Sequence, residues 1–492
     1  MRITLAGYNL DFDTIDLLRQ LIDVHAQGGD TSHLLDLLVN EPLTPETISA
    51  AYARISRSEK KVHELRKDAR SSVNRARQSN ERIVFGLGHS SISEHATFNL
   101  DVTDASRLAL EELESHRLAS YTESSQRYIS MSGDFVIPEE IVAVGLQHEF
   151  EELNSFLFNG YRSLSEKLEA WHQNLPERDR QGRAREDARY LLPLSCRGQV
   201  GVTINARNAE WIIQQSTHSS LAEVKEMGSQ MAKLLRALTP SLIKYTEPLP
   251  GWHESNEAIK SIFTDSGPKQ PEAEVTLINH SAIAESMVTA ALGLRYSNHP
   301  FATVFDRTSG MSEAERTALF RSAHSYLTPH SPVRRELELA SFTFAVNLSA
   351  SAFAQLKRHR IATIITQGYD PSLGITIPPA VIEAGLETDF RTNTDKAEEV
   401  FQLLSRSLDY SSKPAAQYAL TNAHRRRVIF HANAREMVHF SRLREDAHAQ
   451  WDIRQLAGKM IALAKEAAPG LMFLAAGKDE FESMHATLTG DS

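Results

Sequence analysis

Alternation of polar and apolar positions in Thr97-Phe98-Asn99-Leu100-Asp101-Val102 predicts a half-buried strand, and Ser341-Phe342-Thr343-Phe344-Ala345-Val346 predicts another. The opening ITLAGYNLDF reads as a strand, followed by helical spacing of Ile, Leu and Val from Thr14 to His25. Thr44-Pro45-Glu46 is a helix start, with Thr44 as N-cap and acid in the first turn. Pro138 to Trp171, Glu186 to Leu192 and Ala206 to Leu238 read as helices, with a short extended piece at Gly201 to Asn205. The charged run from Arg57 to Arg77 reads as a solvated helix face. Between Tyr245 and Glu274, Pro248, Pro250, Gly251, Gly267, Pro268 and Pro271 break every periodicity. Beyond them Glu274-Val-Thr-Leu-Ile-Asn can be a new first strand, so helices and strands alternate in an α/β (α+β) pattern.

The second part of the chain repeats the first. Ala51 and His89 lie 38 residues apart, Ala291 and His330 39; Phe98 and Arg117 lie 19 apart, Phe342 and Arg360 18. Arg189 and Asn205, like Gln417 and Asn433, are separated by 16. Several landmarks in one order at nearly equal spacing predict an internal duplication. The expected division is residues 1–247, a linker over 248–273, and a second copy over 274–492.

A chain of 492 residues is long enough for two cores, and 41% hydrophobic with 24% charged residues is a globular composition. No apolar run approaches the ~20 residues of a membrane span. The N-terminus lacks a basic segment followed by an apolar core, so no secretory signal is read and a cytoplasmic location is expected. The one cysteine, Cys196, excludes an internal disulfide and a cysteine zinc site, and no metal is expected. A net charge of −10 argues against broad nucleic-acid binding, so any nucleotide ligand is expected to be a small molecule rather than a polymer.

The chemistry-bearing stretches are His116-Arg117-x7-Ser125-Gln126-Arg127-Tyr128, with Gly88-His89-Ser90 and Glu94-His95 upstream, and Arg358-His359-Arg360 with Asn433-Ala434-Arg435-x3-His439-x4-Arg444. In an extended backbone Ser125 and Arg127 project to one side, and with the Gln126 amide they could hold a phosphate through charge-assisted hydrogen bonds. Arg435 and His439, four apart, can share a helix face. His359, between two arginines, is expected to be neutral.

Together these segments resemble the signature of the flavin-dependent thymidylate synthases. The resemblance implies two fused thymidylate-synthase-complementing-type domains, each a mixed sheet flanked by helices. It also implies reductive methylation of dUMP at C5, with FAD as hydride carrier and NADPH and methylenetetrahydrofolate as co-substrates. The family assembles as a homotetramer with shared sites, so a homodimer of the tandem chain would mimic it. By resemblance Ser125, Gln126, Arg127, Arg189 and Glu123 are substrate-binding. His95, His116, Arg117, Arg358, His359, Arg360, Asn433, Arg435 and His439 are cofactor-binding, and Arg444 approaches the pyrimidine. Arg442, beside Glu445 and Asp446, reads as part of a solvated charged face, and His431 and His448 as structural or exposed.

Each copy departs from the pattern where the other keeps it. Gly368, Asp370 and Gln417 stand where Ser125, Arg127 and Arg189 would be; Ser115, Thr122, Trp211 and Ser216 replace an arginine, an asparagine, a histidine and an arginine. Complementary loss predicts one composite site built by both halves. The expected function is FAD-dependent methylation of dUMP or a related pyrimidine nucleotide. A non-catalytic flavin- or nucleotide-binding descendant is the alternative, and a flavin enzyme acting on another pyrimidine or base is a third reading.

Overall fold

The computed structural model describes residues 1–39, 43–131, 133–263 and 272–489. Eight strands form two four-stranded sheets: β1 (Arg2–Tyr8), β2 (Thr97–Ser106), β3 (Ser120–Glu123) and β4 (Arg197–Asn205), then β5 (Val275–His280), β6 (Ser341–Ser349), β7 (Thr363–Tyr369) and β8 (Arg425–Asn433). The orders β1-β2-β4-β3 and β5-β6-β8-β7 are the same, and the fold is the expected α+β. Every neighbouring pair is antiparallel, a narrower pattern than the mixed sheet expected.

The alternation seen in the sequence is the reason for the sheets. Phe98, Leu100 and Val102 on β2 and Phe342, Phe344 and Val346 on β6 turn inward and are buried. Each such side chain contributes roughly 1.5–3 kcal/mol relative to exposure. Matching helices complete each core. Ala206–Ser216 and Ala434–Arg444 follow β4 and β8, and Ala222–Leu238 and Trp451–Ala467 pack beneath them and against β1 and β5. The segment from Ala206 to Leu238 is therefore two helices, not one. Asn205 and Asn433 cap the first pair, accepting from the amides of Asn208 and Glu436. Ser106 and Ser349 cap helices Arg107–Glu114 and Ala350–Leu356 in the same way. These caps fix the alignment of the copies: position 107 corresponds to 350, 114 to 357, 205 to 433.

The halves pack on each other about a pseudo-twofold axis. Leu194 donates its amide to the Leu420 carbonyl at 2.8 Å, and Asn422 donates to that of Leu192 at 2.9 Å. Helices Gln147–Trp171 and Glu387–Ser407 cross closely where Gly160 meets Asn393; a Cβ on Gly160 would lie 2.0 Å from the Asn393 Oδ1. Ala397, Val400, Leu404 and the 415–420 segment belong to the first half's core.

Two local readings change. Arg70 pairs with Asp11 and Asp13, and Arg77 with the buried Glu46 at 2.6 Å, so the charged run to Arg77 is partly an internal ion-pair face. The expected linker carries a helix, Trp252–Phe263, and its residues 264–271 lie outside the described ones. Among the described residues no helix is long and apolar enough to cross a membrane, and no cluster of metal-ligating side chains occurs.

Candidate functional site

The turns after helices Arg107–Glu114 and Ala350–Leu356 bring the two His-Arg motifs together at the seam. Arg117 donates to the Ala362 carbonyl at 3.1 Å, and Arg360, its counterpart, donates to that of Ala119, the counterpart of Ala362. This reciprocal brace borders a cleft of about 1090 Å³ lined by both halves. Arg117, Arg358, His359, Arg360, Asn433, Arg435, His439 and Arg444 all line it. His95 and His116 are outside its described lining. His95 packs edge-on against Tyr52, 4.6 Å between ring centroids. His116 is half-buried, and burial pushes its ring down to about 4.

The deepest part of the seam is a relay. His359, buried, donates from Nδ1 to Glu436 Oε1 (2.9 Å) and accepts at Nε2 from Arg444 Nε (3.0 Å). Burial lowers the pKa of His359, and the Arg444 charge lowers it further, so the ring is neutral as the sequence predicts. Arg444 Nη1 donates to Gln355 Oε1 at 2.9 Å. Its guanidinium is depressed to about 10, by burial first and then by the positive charges of Arg358 and Arg127. Arg444 lines the cleft, whereas Glu123, Ser125, Gln126, Arg127 and Arg189 are outside its described lining.

The first-half anion segment is arranged differently from the extended stretch expected. Residues 125–128 form a turn in which the Arg127 amide donates to Ser125 Oγ at 3.3 Å. A turn wins because β3 ends at Glu123. Arg127 pairs with Glu186 at 2.9 Å and lies over the Tyr128 ring. The side chain of Gln126 accepts from Asn422 at 2.9 Å. Arg189, 4% exposed, donates its Nε to the Glu186 carbonyl, and its Nη2 has no partner. The same segment is held to the second half: Asn422 donates to the Arg189 carbonyl, Trp451 Nε1 to Asp187, and Tyr190 OH to Asp452. Burial pushes Asp187 up to about 7.

Other assigned side chains have protein partners. Glu123 is enclosed by Lys357 (3.3 Å), Arg107 (3.1 Å) and Arg358 (2.6 Å). Burial opposes its charge, but these three cations outweigh it and hold the carboxyl at about 2. Asn433 Oδ1 caps its helix. Arg435 pairs with Glu338 at 2.8 Å.

Sequence reasoning missed three features. Arg442 is no solvated residue: it is 7% exposed, lines the cleft, donates Nη1 to the Ser331 carbonyl, and leaves Nε and Nη2 without partners. Its helix turns that face inward, which a local run of Arg, Glu and Asp does not reveal. Glu436 was missed as the orienting partner of His359, although its place three residues before His439 is a usable signal. The third is the pair Glu114–Lys357, 2.5 Å apart with both side chains 2% exposed. These are corresponding positions carrying opposite charge.

Among the described residues Arg117, Arg360, Arg442 and Arg444 form no ion pair, and the cleft lining holds more cations than its three carboxylates, Glu94, Glu338 and Glu436. A concave, cation-rich seam of this size suits a ligand with phosphate or other oxyanion groups. A second cavity of about 520 Å³ lies beyond the brace, and Ser115, Gly368 and Gln417 all line it. Losses from both halves thus converge on one place.

A profile of the family described as "Thymidylate synthase complementing protein" matches residues 37–241 and again 276–470. The UPF0159 protein of Chlamydia muridarum is 25% identical over 429 residues, covering 81% of this chain and 80% of its own. A flavin-dependent thymidylate synthase of Clostridium tetani is 27% identical over 226 residues, 45% of this chain and 89% of its own. The solved structure of the Helicobacter pylori flavin-dependent thymidylate synthase, described as complexed with FAD and dUMP, aligns with a TM-score of 0.30 at 17% identity, covering 50% of this chain and 100% of its own. Matched twice over most of its length, the chain belongs to the thymidylate synthase complementing protein family, as a tandem-duplicated member.

Proposed function

We propose that the chain catalyses FAD-dependent reductive methylation of dUMP or a related pyrimidine nucleotide at C5, at one composite site per chain. The observation that carries this is the cation-rich cleft lined by both halves, with Arg117 and Asn205 from the first and Arg358, Arg360, Arg442 and Arg444 from the second. The relatives named as flavin-dependent thymidylate synthases support the reaction class.

The residues present fit a flavin dinucleotide: the cleft measures about 1090 Å³, is bordered by both halves, and its excess of arginines matches a pyrophosphate. Arg358, His359, Arg360, Asn433, Arg435, His439 and Arg117 would hold FAD, which supplies hydride transfer when bound. Ser125, Arg127 and Arg189 would fix the nucleotide phosphate; Arg189 has an unpartnered Nη2 for it, and Arg127 would exchange the Glu186 carboxylate for it. Arg444, oriented by His359, would place positive charge at a uracil carbonyl and stabilise the charge that develops as C5 becomes nucleophilic. Glu436 keeps the proton on His359 Nδ1, leaving Nε2 to accept from Arg444. NADPH and methylenetetrahydrofolate would act as reductant and carbon donor, and two tandem chains would pair as a homodimer.

The test is tritium release from 5-tritiated dUMP with methylenetetrahydrofolate and NADPH. FAD-dependent release is expected; a chain that takes up FAD and dUMP yet releases nothing would establish the non-catalytic reading instead.

A further inference from the structure

The pseudo-twofold axis gives the composite site a counterpart whose lining differs. Arg189, Arg358 and Gln355 of the first arrangement correspond to Gln417, Ser115 and Glu112, and these three line the second cavity. Two arginines have become neutral, and a neutral amide has become a carboxylic acid. The seat of the phosphate is also filled: Gln417 Oε1 accepts from the Tyr369 amide at 2.6 Å, and its Nε2 donates to the Pro414 carbonyl at 3.1 Å. A Cβ at Gly368 would lie 2.9 Å from that Oε1. Two cations have been gained: Arg426 where the first half has Gly198, met by Glu111 at 3.2 Å and covered by Phe353 and Tyr369, and Lys357 where it has Glu114, met by Glu114 and Glu123.

The space is not closed by these changes. It measures about 520 Å³, inside the range of small-molecule sites, roughly 300–1,000 Å³, and both halves line it. Glu112 lines it without an ion pair among the described residues; its Oε2 accepts the Ser219 hydroxyl at 3.0 Å, and burial raises its pKa. Thr363, Thr366 and Gln367 add neutral donors and acceptors.

We propose that this second cavity is a separate binding site for a phosphate-free, amino-substituted heterocycle of nucleobase or nucleoside size, recognised through the Glu112 carboxylate. The carboxylate takes N–H donors from an amino-pyrimidine edge. Arg117, Arg360 and Lys357 in the same walls disfavour a full cation, and the Gln417 plug disfavours a phosphate. The inference rests on the duplication and stands whether or not the composite site is active.

Calorimetric titration of the full chain with cytidine and cytidine 5′-monophosphate tests it, in wild type and in Arg127→Ala, where the first-half phosphate site is weakened. Cytidine is expected to bind both chains alike, and the added phosphate to weaken binding to Arg127→Ala by about 10-fold or more, ~1.4 kcal/mol. Glu112→Gln, nearly isosteric, is expected to weaken cytidine by about as much. Thr366→Trp, on an exposed strand position, should block it by filling the space, which serves if Glu112→Gln fails to fold. Absence of cytidine binding, tighter binding of the monophosphate to Arg127→Ala, or cytidine binding lost with Arg127 but indifferent to Glu112 and Thr366 would overturn the proposal.

Discussion

The two halves agree at their seam and differ at their pockets. Arg117 and Arg360 survive in both copies because each braces the other's loop through a backbone carbonyl, a contact that a twofold arrangement needs twice. The arginines proposed to face a ligand occur once each: Arg127 and Arg189 in one half, Arg358 and Arg444 in the other. Position 114/357 shows what fusion permits. In a symmetric pair of identical copies that residue would face its own duplicate; here Glu114 faces Lys357, and Arg358 and Glu123 extend the pair into a buried network. The arrangement makes first-with-second pairing favourable and same-half pairing a burial of like charges.

Lys357→Met strikes the comparison hardest. It leaves Glu114 and Glu123 short of a buried counter-charge, and a loss of roughly 3–5 kcal/mol is expected in urea denaturation. Next comes Arg444→Ala, expected to lower tritium release by about 10²–10³-fold. Gln417→Ala, at the position corresponding to Arg189, should leave it within about twofold, ~0.4 kcal/mol. Equal losses would erase the distinction between the pockets. A smaller effect tests His116, which occupies the position of His359, while Asn208 occupies that of Glu436. Its folded pKa of about 4 lies below the ordinary value of 6.5, so the unfolded chain takes the proton first. Its contribution is present above pH 6.5 and falls away as pH drops toward 4, by up to about 3 kcal/mol. His116→Asn should flatten that window in pH-dependent denaturation. Least of all, Lys167→Ala removes an exposed inter-half ion pair with Asp389 and should cost under ~0.5 kcal/mol.

Much of this was legible in the chain. Alternation located β2 and β6, and equal spacings revealed the duplication, because both are properties of local sequence. Opposite losses at Ser125/Gly368 and Ser115/Arg358 predicted one composite site, and gave no sign of the second cavity. Three things were not legible. The turn at 125–128 depends on where β3 ends, and the sequence run gives no stop signal there. The inward face of Arg442 depends on how its helix packs against Ser331 and Phe481, more than thirty residues away on either side. The enclosure of Glu123 depends on Lys357 and Arg358, which only the pairing of halves brings near.

The central claim is that one nucleotide site per chain is built from both halves. Equilibrium titration of the chain with dUMP in the presence of FAD, repeated with Arg127→Ala, Arg444→Ala and Gln417→Ala, tests it most directly. One dUMP per chain, weakened by either arginine substitution and retained by Gln417→Ala, is the predicted result. Two per chain, or binding that needs Arg127 and is indifferent to Arg444, would contradict it.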